Sequence, residues 1–175
     1  MMKDGIPGTP SIAEWLIQKV PVGGTVGCDG LCTRYAAFQN MKKDFEAQGR
    51  KLEAIENPID KCWTDRPARP CNPLEIMPLE NAGKSWQDKV QACRDEIKKK
   101  NCQGLIITML DEICWLFNIR GSDIPFNPLF FSYCYVSQTE IMLFMNEKQA
   151  TEEVKKHLSG VTIKPYDTTI DFLKR

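Results

Sequence analysis

Chemistry in this chain has few residues to draw on. One histidine (His157), eight cysteines and a polar break inside an aromatic run are the candidates. The cysteines, Cys28, Cys32, Cys62, Cys71, Cys93, Cys102, Cys114 and Cys134, are scattered, with no CxxC pair. A zinc site needs ligands paired at short spacing, so these residues predict none. Without a hydrophobic leader in "MMKDGIPGTPS", they are expected to be reduced thiols used as small hydrophobes. His157 closes the charged stretch "TEEVKKHL" and reads as a solvated helix-end residue rather than a triad base. Asp111 and Glu112 are adjacent, so on a helix they diverge; they suit its N-terminal end better than paired acid–base work. No Walker-type loop is present, and "GTVGCDG" lacks dinucleotide-binding spacing. No neighbouring base nominates a cysteine nucleophile.

The polar break is "FNIRGSDIPFNPLFFSY", Phe117 to Tyr133. Arg and Asp inside an apolar run are paired or working when buried. Two readings follow. In one, Gly121 ends a helix, Arg120 serves its C-terminus, and Ser122 and Asp123 make a turn that Pro125 and Pro128 lead away. In the other, Arg120, Gly121, Ser122, Asp123 and Asn127 line a substrate cleft. Spacing alone does not choose between them.

Elements that would position this loop are legible in the periodicity. A helix is expected over "TPSIAEWLIQKV", with Thr9 as cap, Pro10 in its first turn, and Ser11 and Glu14 at capping-box spacing. "TVGCD" and "KLEAIE" read as strands flanking a helix from Thr33 to Gln48, with Tyr35, Phe38, Met41 and Phe45 on its inner face. Four prolines between Cys62 and Gly83 predict an extended linker. The domain assignment is residues 1–63, a linker over 64–84, and a second domain over 85–175. In that domain Ser85 and Asp88 open a helix facing inward through Trp86, Val90, Cys93 and Ile97 and closing on Lys98, Lys99 and Lys100. "GLIITML" is expected as a buried strand and "DEICWLF" as a short helix. "PLFFSYCYV" and "EIMLFM" form a hairpin, "ATEEVKKHL" a helix capped by Thr151, "VTIKPY" a strand, and "DTTIDFLKR" a last helix.

Totals narrow the class. With 175 residues, 42% apolar and 26% charged, the chain has material for a packed core. Lys and Arg balance Asp and Glu at 23 each, so no basic excess recruits nucleic acid. No apolar run reaches membrane-spanning length. The expected location is cytoplasmic.

The segments "TDRPARPCNPL", "GKSWQDKV", "ITMLDEICWLFNIRGSDIPFNPLFFSY" and "IKPY", with "TPSIAEWL" and "VGCDG" upstream, resemble the cytosolic-type Xaa-Pro aminopeptidases (aminopeptidase P, metallopeptidase family M24). Departures are Gly30, where the family often has proline, and cysteines where it has aliphatic residues. The resemblance implies an α/β fold: a creatinase/prolidase N-terminal-like domain, its mixed sheet flanked by helices, preceded by part of a second similar domain. In that family two such domains precede a "pita-bread" catalytic domain. The catalytic domain holds two divalent metals, usually manganese, on Asp, His and Glu residues and releases the residue preceding a proline. Residues 1–63 then correspond to the end of domain one and 85–175 to most of domain two, expected to be incomplete. No catalytic residue and no metal ligand carries over to this chain. The implied partners are a catalytic domain or a peptide substrate, with self-association through uncovered edges. A catalytically dead peptide- or protein-binding module, as in a histone-chaperone subunit that reuses this scaffold, and a non-functional fragment are the alternatives.

Overall fold

The computed structural model describes residues 2, 3 and 5–174. The chain divides into two compact units, up to Pro67 and from Ala68 onward.

The first unit is a strand–helix–strand arrangement. Helix α1 (Ile12–Lys19) is capped by Ser11, which accepts from the Glu14 amide while Glu14 accepts from the Ser11 amide. The cap is therefore Ser11, not Thr9, because the reciprocal box satisfies two free amides at once. Strand β1 (Thr25–Asp29) pairs in parallel with β2 (Lys51–Ile55), joined through α2 (Tyr35–Ala47). A Cβ at Gly27 would lie 2.5 Å from Ile55 Cδ1, so a side chain there would require the Ile55 side chain to move. Of the expected inner face of α2, Phe45 is fully buried and Phe38 and Met41 partly so, whereas Tyr35 is 78% exposed. Tyr35 is the first residue of the helix. The short helix α3 (Ile59–Cys62) ends the unit.

The second unit holds the large core. Strands β4 (Gly104–Ile107), β6 (Ser132–Ser137), β7 (Ile141–Met145) and β8 (Thr162–Pro165) form one sheet in the order β4-β6-β7-β8. The first two junctions are antiparallel and β7-β8 is parallel, so the sheet is mixed. A separate two-residue ladder joins β3 (Glu75–Ile76) to β5 (Ile119–Arg120). Alternation along β6 and β7 divides their side chains. Cys134, Val136, Ile141, Leu143 and Met145 enter the core. On the opposite face Tyr133 stacks on Tyr166, while Tyr135 and Phe144 meet Phe172 of the final helix α8 (Thr169–Leu173). Core-side cover comes from α5 (Trp86–Lys99) and α6 (Leu110–Phe117), whose apolar residues recur at helical spacing. Short helices α4 (Leu79–Ala82) and α7 (Glu152–His157) complete the unit.

Caps and turns agree with the chain's composition. Ser85 accepts from the Asp88 amide, and Thr151 from the Val154 amide. The β6–β7 turn is held by Ser137 Oγ, which accepts from the amides of Thr139 and Glu140. Three further expectations change. "GLIITML" is not a buried strand: β4 is the sheet edge, only Ile107 is buried, and Leu105 and Ile106 are exposed. Residues 68–84, expected as linker, are built into the second unit: Leu74 enters its core and β3 pairs with β5. Proline spacing signals extended backbone but not whether that backbone is paired. His157 is not a solvated helix end. Its Nε2 donates to the Phe117 carbonyl at 2.8 Å, and its own carbonyl accepts from Trp86 Nε1 at 2.9 Å, tying α5, α6 and α7 together.

Candidate functional site

The 120–128 loop begins where α6 is forced to stop. Asn118 takes the left-handed conformation, φ 54°, and its amide returns to the carbonyls of Cys114 and Trp115. Its side chain accepts from Lys89 Nζ at 2.6 Å and donates to the Lys84 carbonyl at 2.9 Å. Lys89 is only 3% exposed; it also donates to the Trp115 carbonyl at 2.8 Å and lies 4.4 Å from the centre of the Trp115 ring. Burial, then the charge of Arg120, pull the Lys89 ammonium below the usual lysine range. The helix therefore ends at Asn118, not Gly121. Asparagine reaches this conformation because its short amide finds partners there.

Arg120 serves the end of α6 as expected: Nη1 donates to the carbonyls of Cys114 (3.1 Å) and Ile119 (2.9 Å). Gly121 is fixed by packing. A Cβ would lie 2.6 Å from Phe130 Cβ and 2.9 Å from the Leu129 carbonyl oxygen. Asp123 turns inward, 3% exposed. Its carboxylate accepts from the amides of Asn72 (3.3 Å) and Phe131 (3.0 Å) and from Gln149 Nε2 (3.0 and 3.1 Å). A buried carboxylate with three donors is a structural anchor. It clasps the loop to the segment expected to be a free linker.

The tip behaves differently. Ile124 and Asn127 form an isolated bridge, and between them Phe126 stands fully exposed with φ 62°. A bulky residue with positive φ is strained and persists only where its surroundings fix it; Pro125 and Pro128 restrict both approaches. Beside the tip is an open cleft of about 750 Å³. Arg120, Gly121, Ser122 and Asn127 line it together with Phe126 and Glu75. Glu75 and Arg120 are cross-strand partners in the β3–β5 ladder. Four of the five sequence candidates thus share one cleft, and Asp123 departs from it because its carboxylate is consumed internally. Phe126 and Glu75 were missed. The "PFNP" frame is a local signal for the first; no sequence signal pairs Glu75 with Arg120 across 45 positions.

Among the described residues, no group of three His, Cys, Asp or Glu side chains is placed to bind a metal ion. The cysteines are free: Cys114 and Cys134 are buried, while Cys32, Cys62 and Cys102 are exposed, against the expectation of core use. Burial holds the Cys134 thiol far above the usual range and raises Cys114 as well, so neither is poised as a nucleophile. Among the described residues, no helix is long and apolar enough to cross a membrane.

Comparison with known proteins gives this architecture a lineage. A probable Xaa-Pro aminopeptidase P of Leptosphaeria maculans is 41% identical over 175 residues, covering 99% of this chain and 29% of the relative. One from Talaromyces marneffei is 42% identical over 171 residues, 96% of this chain and 26% of the relative. The crystal structure of an X-prolyl aminopeptidase from Caenorhabditis elegans, described as a cytosolic enzyme with a di-nuclear active site, superimposes with a TM-score of 0.88 at 34% identity. That match covers 98% of this chain and 28% of the worm enzyme. The chain spans under a third of the length of these relatives. The family model described as the Creatinase/Prolidase N-terminal domain matches residues 65–175, which takes in the whole second compact unit from Ala68, and the chain belongs to that family.

Proposed function

We propose that this chain is the non-catalytic N-terminal and middle portion of a metal-dependent Xaa-Pro aminopeptidase. The carrying observation is the near-complete coverage of this chain by 28% of an enzyme described as having a di-nuclear active site. The side chains present do not fit a two-metal site, since no three-donor group is assembled among the described residues. The metals, taken here as manganese, and the hydrolytic step then belong to a catalytic domain outside this chain. In this reading residues up to 63 are the end of a first creatinase-N-like domain, and the second unit is the following one. The whole enzyme is cytosolic, like the worm protein, and removes the residue before proline.

The scaffold's contribution is the exposed loop. Arg120, Ser122 and Asn127, with Phe126 at the tip, form a wall presented to the catalytic domain or its peptide substrate, while Asp123 holds that wall in shape. The strained, exposed Phe126 supports this reading, because such conformations gather at functional surfaces.

A chimera tests it. The matching segment of the worm enzyme is exchanged for this chain, and Xaa-Pro peptide hydrolysis is compared with that of an enzyme lacking the segment. Activity well above the deletion is expected, and Phe126→Ala with Asn127→Ala should raise KM without lowering Tm. A chimera no better than the deletion contradicts the assignment.

A further inference from the structure

Strand β4 closes one end of the mixed sheet, and among the described residues its outer edge pairs with no strand. A strand edge is a row of open N–H and C=O groups, which proteins ordinarily guard with charge, proline or a bulge. The opposite end of the sheet is guarded in this way, since β8 carries Lys164 and Pro165. β4 is Gly-Leu-Ile-Ile, with no charge and no proline. Its register with β6 is unbroken, so no bulge turns the edge away.

Apolar side chains flank this edge on both faces of the sheet. Leu105 lies opposite Val136 and belongs to the core side, while Ile106 lies opposite Tyr135 on the other side. They are 38% and 44% exposed. An added strand would gain backbone hydrogen bonds along the edge and an apolar neighbour on each face.

Charges beside the edge select which strand. Lys98, Lys99 and Lys100 close α5 just before β4 starts, and Asp111 and Glu112 open α6 just after it ends. All five are exposed. Lys99 pairs with Glu96, whereas among the described residues Lys98, Lys100, Asp111 and Glu112 form no ion pair. The two ends of the edge therefore carry opposite charge. A second copy running antiparallel along β4 sets the lysine end of each copy against the acidic end of the other. The two-fold axis is then normal to the sheet and keeps the core side common to both copies. Helices α5 and α6 both cover that side, so these helix ends become neighbours. The carbonyl end of α5 meets the amide end of α6, the favourable sense of the helix dipoles. Parallel pairing would bring lysine end to lysine end.

We propose that β4 is a homodimer interface, at which two copies of this chain pair antiparallel and join their four-stranded sheets edge to edge. This interface is independent of the aminopeptidase reading and lies on a different surface from the 120–128 loop.

Sedimentation equilibrium of the 175-residue chain, with hydrogen exchange on the same samples, tests it. A four-residue edge makes a small interface, so a reversible dimer with a Kd on the order of 100 µM is expected. Exchange at the β4 backbone amides should slow as concentration rises through that range. Ile106→Lys, which sets like charges across the two-fold axis, should weaken the dimer about tenfold or more. Two charge reversals separate pairing from folding. Lys98→Glu with Lys100→Glu, and Asp111→Lys with Glu112→Lys, should each self-associate about tenfold less than the wild type, while their equimolar mixture recovers the association. A wild-type chain still monomeric at about 1 mM would overturn the proposal and leave the edge to a strand of another chain. A dimer that leaves β4 exchange unchanged, or folded charge-reversal variants that associate no better mixed than alone, would overturn it equally. The wild-type readouts stand whether or not a variant folds.

Discussion

The two units use similar elements and reach different degrees of closure. In the second, nineteen buried residues form one cluster, from Leu74 to Leu158, and the mixed sheet is covered on the core side by α5 and α6. In the first, Phe45 and Leu52 are the only buried hydrophobics among the described residues, while Ile12, Val22, Leu31 and Ile59 are exposed. Its sheet has two parallel strands. Parallel pairs normally sit inside larger, doubly covered sheets, and an isolated pair is marginal. Stability should therefore reside in the second unit, the same region the family model matches.

That comparison can be broken most directly in the core. Phe117→Ala or Phe130→Ala, each removing a fully buried ring, should cost the second unit about 3–5 kcal/mol. Phe45→Ala should leave that unit's unfolding midpoint in place. Urea titration with thiol labelling reads both units at once: Cys28 of the first should become reactive at lower urea than Cys134 of the second. Simultaneous labelling would show the units to be one cooperative body.

Within the loop, the contrast between anchor and tip gives the next effect. Asp123→Ala strands three donors and should cost roughly 1–3 kcal/mol, measured by urea unfolding. Asn127→Ala, at the exposed tip, should stay within about 0.5 kcal/mol. Gly121→Ala tests the close approach to Phe130 and should cost about 1–2 kcal/mol by overpacking, seen as a lowered midpoint with an unchanged slope.

The smallest effect concerns Lys89. Its folded value is lowered by burial, so between that value and its ordinary 10.5 the unfolded chain binds more protons than the folded one. Stability attributable to this group is reduced below the folded value and recovers as pH rises through the window. The wild type should therefore gain stability relative to Lys89→Met between neutral pH and pH about 10. A difference that is flat with pH would remove Lys89 as the cause.

Local signals were the legible part of this chain. Ser11–Glu14, Ser85–Asp88 and Thr151 mark helix starts because capping is decided within four residues. The hairpin and the strand–helix–strand unit follow from periodicity for the same reason. What escaped was decided at distance. The edge position of β4 depends on strand order, which an apolar run does not encode. The partners of Asp123 include Asn72, 51 positions away, so an aspartate drawn into a turn in sequence became a buried anchor in space. The cleft was half legible: Arg120, Gly121, Ser122 and Asn127 are local neighbours, while Glu75 arrives through the β3–β5 ladder.

The central claim is that this chain is scaffold and that hydrolysis is supplied from outside it. The most direct test is to purify the chain, add Mn²⁺, assay an Xaa-Pro peptide and quantify bound metal on the same sample. The account predicts no turnover and no stoichiometric metal. Turnover that co-purifies with the chain, with metal bound in fixed ratio, would contradict it.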